Sequence, residues 1–372
     1  LSVKPINTSL NDRVSAFAKA GSLLATYLTS DHSKIDIDKD LWNVTINQTV
    51  LLAEQKNPWF TLDNLLYALD QWAQALTKEN LNNWLKTYHL ENVTAQKVAV
   101  IAAGNIPMVG FHDVLCIILT GHFAQIKTSS NDDVLLPLML KLAGAHLPAL
   151  EQSYEFTEDR LTDFDAVIAT GSNNTARYFE HYFGKKPNII RKNRNSIAVL
   201  TGKETHEELV ALSDDVFLFF GLGCRSVSHL KVPTDYNFDP FFKAMYEKRD
   251  LINYIKYSNN YDYNKAVYLM SEFKLLDNEF LIMKEETESY ASPIASLGYS
   301  FYSSDQEIAT EIKSRAEDLQ CVVAGEGMQK VLRPVVATMA APQLVDYGKT
   351  QKPALNDYAD GADTIQFLLT LS

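Results

Sequence analysis

Between Lys97 and Leu200 the chain alternates short apolar runs with longer amphipathic ones, and this alternation limits the fold more than any other feature. KVAVIAAGN, FAQIKT, DFDAVIATGS and NSIAVL are too continuously apolar for strands with one wet face. They read as strands buried on both sides. HDVLCIILTGH, DDVLLPLMLKLAGAH and NNTARYFEHYFG read as helices, with Gly121 and Gly184 as C-terminal stops. Pro137 kinks or starts the second. Strand and helix in alternation predict a parallel sheet with helices on both faces. The ligand crevice of such a sheet lies beyond the C-terminal ends of its strands, where GNIP, IKTSS and ATGSNN fall.

The flanking sequence extends the pattern. Residues 1–95 read as helical, through RVSAFAKAGSLLATYL and WFTLDNLLYALDQWAQALTKENLNNWLKTY. In the second stretch Phe60, Leu62, Leu65, Leu66, Leu69, Trp72, Leu76 and Leu81 recur at helical spacing, with Thr61 as N-cap. Beyond Thr201 come a helix, ETHEELVALSDDVFLFF, the turn GLGC, and the strand-like HLKVP. A tyrosine-rich helical region, 236–290, follows. SPIASLGYSFY and QCVVAGE read as further strands, and the tail ends in a short apolar element. The expected organisation is residues 1–200 as N-terminal helices plus a dinucleotide-binding domain, 201–330 as a catalytic domain, and 331–372 as a C-terminal segment returning to the cofactor or oligomerisation region.

Composition excludes several function classes. With 372 residues, 46% of them hydrophobic, the chain can bury a large core. A net charge of −12 opposes general nucleic-acid binding, which needs a basic face. KKPNIIRKNR, residues 185–194, is a local basic patch, read either as a solvated loop edge or as a contact for a phosphate-rich ligand. Three scattered cysteines argue against a disulfide framework, and the histidine and cysteine spacing predicts no metal site. No apolar run approaches the roughly 20 residues of a membrane span. The first residue is Leu1, which leaves room for a removed leader; the expected location is the cytoplasm.

Four segments hold candidate chemistry. Cys224, between a helix and a strand and flanked by glycine, is either a nucleophile presented in a crevice or a small buried hydrophobe. Cys116 and Cys321 sit in apolar runs and read as structural. Asn105 ends a strand in AAGNIP, as an oxyanion donor or a helix cap. Lys127, ending a strand before Thr128, Ser129 and Ser130, suits ribose and phosphate recognition or a helix start. Gly171 and Ser172 open a helix where a pyrophosphate could dock, without the GxGxxG spacing.

The order of these motifs is more informative than any one of them. GNIP, GHFAQIKTSS, ATGS, SIAVL and a helix ending in GLGC resemble the aldehyde dehydrogenase superfamily. With the tail GKTQKPALNDYADGADT, the chain is similar to its LuxC-like acyl-CoA reductase branch over residues 95–372. The resemblance implies an α/β aldehyde dehydrogenase-like fold: two Rossmann-like parallel-sheet domains, one cofactor-binding and one catalytic, with a small oligomerisation element. It implies Cys224 as the nucleophile that takes an acyl group as a thioester and Asn105 as the side-chain oxyanion donor. It further implies Lys127, with Ser129 and Ser130, at the cofactor's ribose, and Gly171 and Ser172 at its pyrophosphate. A homo-oligomer is also implied, with room for an acyl-transfer partner subunit.

Two departures from the superfamily pattern matter. The general-base glutamate of its dehydrogenases has Ile190 near its position here. Without that base a thioester hydrolyses poorly yet can still exchange with coenzyme A. Ser130 stands where NAD-preferring members often carry glutamate, so NADPH is accommodated, and NADH remains possible. The expected activity is NADPH-dependent reduction of fatty acyl-CoA to aldehyde. The alternatives are a short-chain CoA-acylating aldehyde dehydrogenase and a non-reducing acyl-carrier or scaffold subunit. Arg191, Lys192 and Arg194 stand as contacts for coenzyme A phosphates, and the aromatic stretch 236–263 as either an acyl tunnel or core.

Overall fold

The computed structural model describes residues 8–30, 40–91 and 93–371. Of the expected helical region 1–95, residues 1–7, 31–39 and 92 lie outside the described residues. The chain forms two compact units. The first comprises Leu1–Lys192, Ala354–Tyr358 and Ala362–Ser372, and the second Asn193–Pro353 and Ala359–Gly361.

The first unit is built on a five-stranded, wholly parallel sheet. Its strands are β1 (Lys97–Ile101), β2 (Phe123–Lys127), β3 (Tyr154–Phe156), β4 (Ala166–Thr170) and β5 (Asn188–Arg191), in the order β3-β2-β1-β4-β5. Successive side chains alternate between faces. Ala99, Val167 and Ala169 pack with Leu161 and Phe164 on one face, closed by Phe179 and Phe183 of helix Asn173–Phe183. The helices Phe111–Thr120 and Leu135–Gly144 bury nearly every residue. Gly121 ends the first at φ 93°, as its left-handed stop requires. Pro137 falls in the first turn of the second, where a missing N–H costs no intrahelical bond. The basic patch supplies a strand: apolar Ile189 and Ile190 draw NIIR onto the sheet edge beside β4.

Four helices precede this sheet: Leu10–Thr29, Leu41–Lys56, Leu62–Ala75 and Lys78–Leu85. Thr61 caps the third, as expected, and Thr77 caps the fourth by accepting from the Asn80 N–H at 3.1 Å. That second cap splits what the apolar period alone makes one long helix. The C-terminal helix Thr364–Leu369 also belongs to the first unit. There the buried Arg191 guanidinium donates to the Asp113 carboxylate at 2.8 Å and to the Thr364 hydroxyl at 3.2 Å.

The second unit carries a seven-stranded sheet. Its strands are β6 (Asn195–Val199), β7 (Val227–Pro233), β8 (Leu275–Asp277), β9 (Ile282–Glu285), β10 (Ser296–Tyr302), β11 (Leu319–Ala324) and β12 (Gln343–Val345), in the order β12-β11-β6-β7-β10-β9-β8. All neighbours are parallel except the β8–β9 edge pair. One core joins Ile197, Val199 and Val322 to Ile308, Ile312, Met328 and Leu332 of helices Asp305–Ser314 and Glu326–Val336. Helices His206–Phe217, Asp239–Met245 and Ile255–Met270 bury Leu209, Leu212, Phe241, Tyr257 and Tyr261. Of the aromatic stretch, Phe241, Tyr257 and Tyr261 are therefore core, while Tyr246 and Tyr263 are exposed. No helix among the described residues is long and apolar enough to cross a membrane.

The Arg191–Asp113 pair yields a stability prediction. Asp113→Ala leaves a guanidinium buried without its counter-charge, and should lower stability by about 3–5 kcal/mol in urea unfolding. The double replacement Asp113→Leu, Arg191→Met should recover most of that loss. A single variant as stable as the parent would contradict this role.

Candidate active site

The first sheet reverses its winding between β1 and β4, so its crevice opens beyond the C-terminal ends of those strands. Six of the expected site residues gather at that edge. Asn105 is exposed in the turn after β1, Lys127 ends β2 with Ser129 and exposed Ser130 following, and Gly171 and Ser172 follow β4. The turn after β1 needs its glycine: a Cβ on Gly104 would come within 2.7 Å of the Ser129 hydroxyl. Asn57 holds the Gly104 carbonyl at 3.2 Å. Buried Asp132 accepts from the Met108 N–H at 2.7 Å, and Met108 is left-handed, with φ 61°. Burial pushes the Asp132 carboxyl up to about 6.

The structure gives several of these residues local work. The Lys127 ammonium donates to the carbonyls of Glu158 and Asp159, each at 3.0 Å. An ammonium has three donors, so among the described residues one is left for a ligand. Ser172 is the N-cap of helix Asn173–Phe183 and accepts from the Thr175 N–H at 3.3 Å. A Cβ on Gly171 would crowd Thr175 and Phe179 at 3.0–3.1 Å. Cap and glycine bring the helix N-terminus close to the strand end, which suits an anionic group. The residues at this edge therefore fit a dinucleotide. Ser130 adds a hydroxyl rather than a charge.

Cys224 belongs to the second unit, and its turn is unusual. Phe219 and Phe220, at φ 53° and 55°, are both left-handed, and Gly221 follows at 75°. Such a conformation costs on the order of 1–3 kcal/mol at each non-glycine residue and persists only where packing enforces it. Here both phenyl rings are buried, and Phe220 stacks on Tyr254 with ring centres 5.0 Å apart. The helix thus stops abruptly, and Cys224 emerges half-buried just ahead of β7. A small cavity beside the turn is lined by Phe217, Phe220, Tyr257, Leu281 and Ile294, among others.

Three sets of contacts hold the cysteine. Buried Ser196 donates its hydroxyl to the Cys224 carbonyl at 2.9 Å and accepts from the Cys321 N–H at 3.1 Å. Arg225 points away, its guanidinium donating to the Thr350 carbonyl and, at 2.7 Å, to Gln343. Gln351 donates to the Ser226 hydroxyl at 3.1 Å. The loop carrying Thr350 is pinned by buried Asp215, which accepts from the Gly348 and Thr350 N–H groups at 2.6 and 2.9 Å. Burial raises the Cys224 thiol above its ordinary range. The backbone N–H of Arg194 acts on the sulfur in the opposite sense, the Asp360 charge raises it, and the Arg194 guanidinium lowers it. Cys116 and Cys321 are fully buried, as their runs suggested, and the Cys116 sulfur lies 3.9 Å from the His112 Nδ1.

The structure corrects one expectation. Arg191 does not present its charge to a ligand, because Asp113 and Thr364 bury it. Arg194 is likewise engaged by Asp360 at 3.2 Å, and exposed Lys192 pairs with Glu180 at 2.7 Å. Asp215, Ser196 and Asp360 make contacts around this candidate site that the sequence did not disclose. Each acts across more than 25 residues, on groups distant in sequence. In the second sheet a groove of about 740 Å³ opens at the C-terminal ends of β6, β10 and β11, lined by Thr201, Tyr302, Ser304, Gly325 and Tyr347, among others. Cys224 instead precedes the N-terminal end of β7.

No family model matches this chain, and no curated protein matches it. Solved structures do. An NAD-dependent benzaldehyde dehydrogenase from Corynebacterium glutamicum superposes with a TM-score of 0.67 at 11% identity, over 96% of this chain and 84% of its own. Aldehyde dehydrogenase 21 from Physcomitrella patens, in complex with the reaction product succinate, gives 0.66 at 13% identity, over 98% and 85%. A mutant of aldehyde dehydrogenase C from Pseudomonas syringae, in complex with NAD+ and octanal, gives 0.64 at 12% identity, over 92% and 77%. The chain has the aldehyde dehydrogenase fold.

The Asp215 anchor predicts a pH dependence. Burial raises its carboxyl to about 6, whereas an unfolded aspartate titrates near 3.9. Between these values the folded chain holds a proton that the unfolded chain releases. This group's contribution is therefore full below about pH 4 and is lost as pH rises through 6. From pH 4 to 7 the parent should lose roughly 2–3 kcal/mol relative to Asp215→Asn. Urea midpoints at stepped pH measure this, and parallel profiles for the two proteins would contradict it.

Proposed function

We propose that this protein is a nicotinamide-dependent oxidoreductase that carries an acyl group on Cys224 and reduces acyl-CoA to aldehyde. The observation behind this reading is the cysteine itself. It is a half-buried thiol just after a left-handed turn, with its carbonyl held by the buried Ser196 hydroxyl at 2.9 Å. The fold, and the neighbours solved with NAD+ or named NAD-dependent, support a nicotinamide cofactor. Lys127, Ser129, Ser130, Gly171 and Ser172 are assigned to hold it, with NADPH favoured because Ser130 brings no carboxylate to the ribose. When bound, the cofactor supplies a hydride.

The chain's own residues do the remaining work. The Cys224 thiolate attacks the acyl-CoA carbonyl, coenzyme A leaves as its thiolate, and the acyl group stays on sulfur as a thioester. The Cys224 N–H stabilises the oxyanion, and the resemblance assigns Asn105 the side-chain donation. Such a donor is typically worth about 2.7–4 kcal/mol. Once the carbonyl carbon has received hydride, the hemithioacetal alkoxide collapses, expels the Cys224 thiolate and releases aldehyde. β5 carries Ile190 and no carboxylate, which favours thioester exchange over hydrolysis. Long acyl chains are the preferred substrate class, on the resemblance.

The test follows NADPH oxidation with tetradecanoyl-CoA, beside NADH and acetyl-CoA controls. Cys224→Ala should abolish turnover and Asn105→Ala should lower kcat by 10²–10³-fold, both with unchanged circular dichroism. Full turnover in Cys224→Ala would refute the mechanism. No turnover with any pair in folded protein would favour the acyl-carrier reading.

A further inference from the structure

The turn that carries Asn105 is gripped on two sides. On one, Asn57, buried at the end of helix Leu41–Lys56, donates its side-chain amide to the Gly104 carbonyl at 3.2 Å. On the other, buried Asp132 accepts from the Met108 N–H at 2.7 Å and from the Leu135 N–H at 3.4 Å. Only Asn105, Ile106 and Pro107 lie between the two gripped residues. Both grips are themselves braced. The Asn57 side-chain oxygen accepts from the Trp59 N–H at 3.0 Å, and its carbonyl accepts from the Phe60 N–H at 2.8 Å. Lys56, one residue earlier, pairs with Asp133 at 2.6 Å. The Asp132 N–H donates to the Ser129 carbonyl at 3.0 Å. The end of one N-terminal helix therefore meets both the turn after β1 and the loop after β2.

The place of the Asn57 bond matters. The Gly104 carbonyl belongs to the peptide that leads into Asn105. Glycine is the residue least able to hold one backbone conformation by itself. Left alone, that peptide plane would turn at little cost and swing the Asn105 side chain with it. No other residue fits in its place, because a Cβ on Gly104 would come within 2.7 Å of the Ser129 hydroxyl and 2.9 Å of the Asn131 Cβ. The turn thus needs a glycine for space and an outside donor for rigidity. A buried carbonyl needs such a donor in any case, and here it comes from a helix outside the sheet.

We infer that Asn57 is a positioning residue for Asn105: by holding the Gly104–Asn105 peptide it fixes the direction in which the Asn105 amide is presented, and Asp132 closes the same turn from the β2 loop. This rests on Asn105 being the oxyanion donor, and deepens that reading by giving the N-terminal helices a part in it.

The test measures the rate at which saturating tetradecanoyl-CoA acylates Cys224 without nicotinamide, by intact mass, and NADPH binding separately by fluorescence. Asn57→Ala should slow acylation by about 10–100-fold, with NADPH affinity and circular dichroism unchanged. Asn57→Asp keeps the acceptor for Trp59 but offers Gly104 no amide donor, and should be as slow. Asp132→Asn, which keeps an acceptor for Met108, should retain most of the rate that Asp132→Ala loses. In an Asn105→Ala background, Asn57→Ala should cost little more, because the group through which it acts is gone. A parent-like rate in Asn57→Ala, or equal fold-losses in both backgrounds as a general structural role would give, overturns the inference. If Asn57→Ala does not fold, Asn57→Asp is read in the same cycle with the same criteria. Slow acylation in Asn105→Ala beside a fully active Asn57→Ala removes the positioning role and leaves the donor standing. If Asn105→Ala keeps the parent rate, or the parent is not acylated, the donor assignment fails and the positioning role falls with it.

Discussion

The buried Arg191–Asp113 pair is the interaction on which the first unit's architecture turns. A guanidinium and a carboxylate removed from water are costly unless each satisfies the other. Here Arg191 ends β5, Asp113 lies in the first turn of the helix after β1, and Thr364 begins the C-terminal helix. One ion pair thus fastens the last strand of the sheet, a central helix and the returning tail together. Neighbouring bonds repeat the pattern. Trp84 and Tyr88 reach the Tyr358 hydroxyl at 2.8 Å, and His122 meets the Leu368 carbonyl at 3.1 Å. The segments on both sides of Ala359–Gly361 are therefore anchored in the first unit, while those three residues belong to the second.

The placement of Cys224 is set by backbone geometry. Two consecutive left-handed phenylalanines stop the helix, and packing of their rings holds them there. Burial alone would make Cys224 an inert thiol. What distinguishes it from Cys116 and Cys321 is partial exposure. The contrast lies in placement: Cys116 and Cys321 sit in apolar runs, whereas Cys224 follows a glycine-flanked turn.

Legibility in the sequence followed the range of the interactions. The central strands of both sheets were readable because parallel strands buried on two faces have no polar alternation to obscure them. Caps were readable where side chain and helix are adjacent, as at Thr61. The strand NIIR was hidden by its basic flanks, and the Thr77 break by an uninterrupted apolar period. Cys224 was singled out by its glycine-flanked turn, and the Lys127 and Gly171–Ser172 segments by their place at strand ends. Asp215, Ser196 and Asp360 were not, because each acts on groups distant in sequence, which no local pattern encodes. Arg191 illustrates the converse: a basic run suggested a phosphate contact, and folding turned its most central cation inward onto Asp113.

The central claim is that Cys224 accepts an acyl group from coenzyme A. Its most direct measurement is the intact mass of the protein after brief incubation with an acyl-CoA, with no nicotinamide present. The account predicts a mass increase of one acyl group, removed by neutral hydroxylamine and absent in Cys224→Ala. A folded protein that gains no acyl group, or gains it equally in the variant, would contradict it.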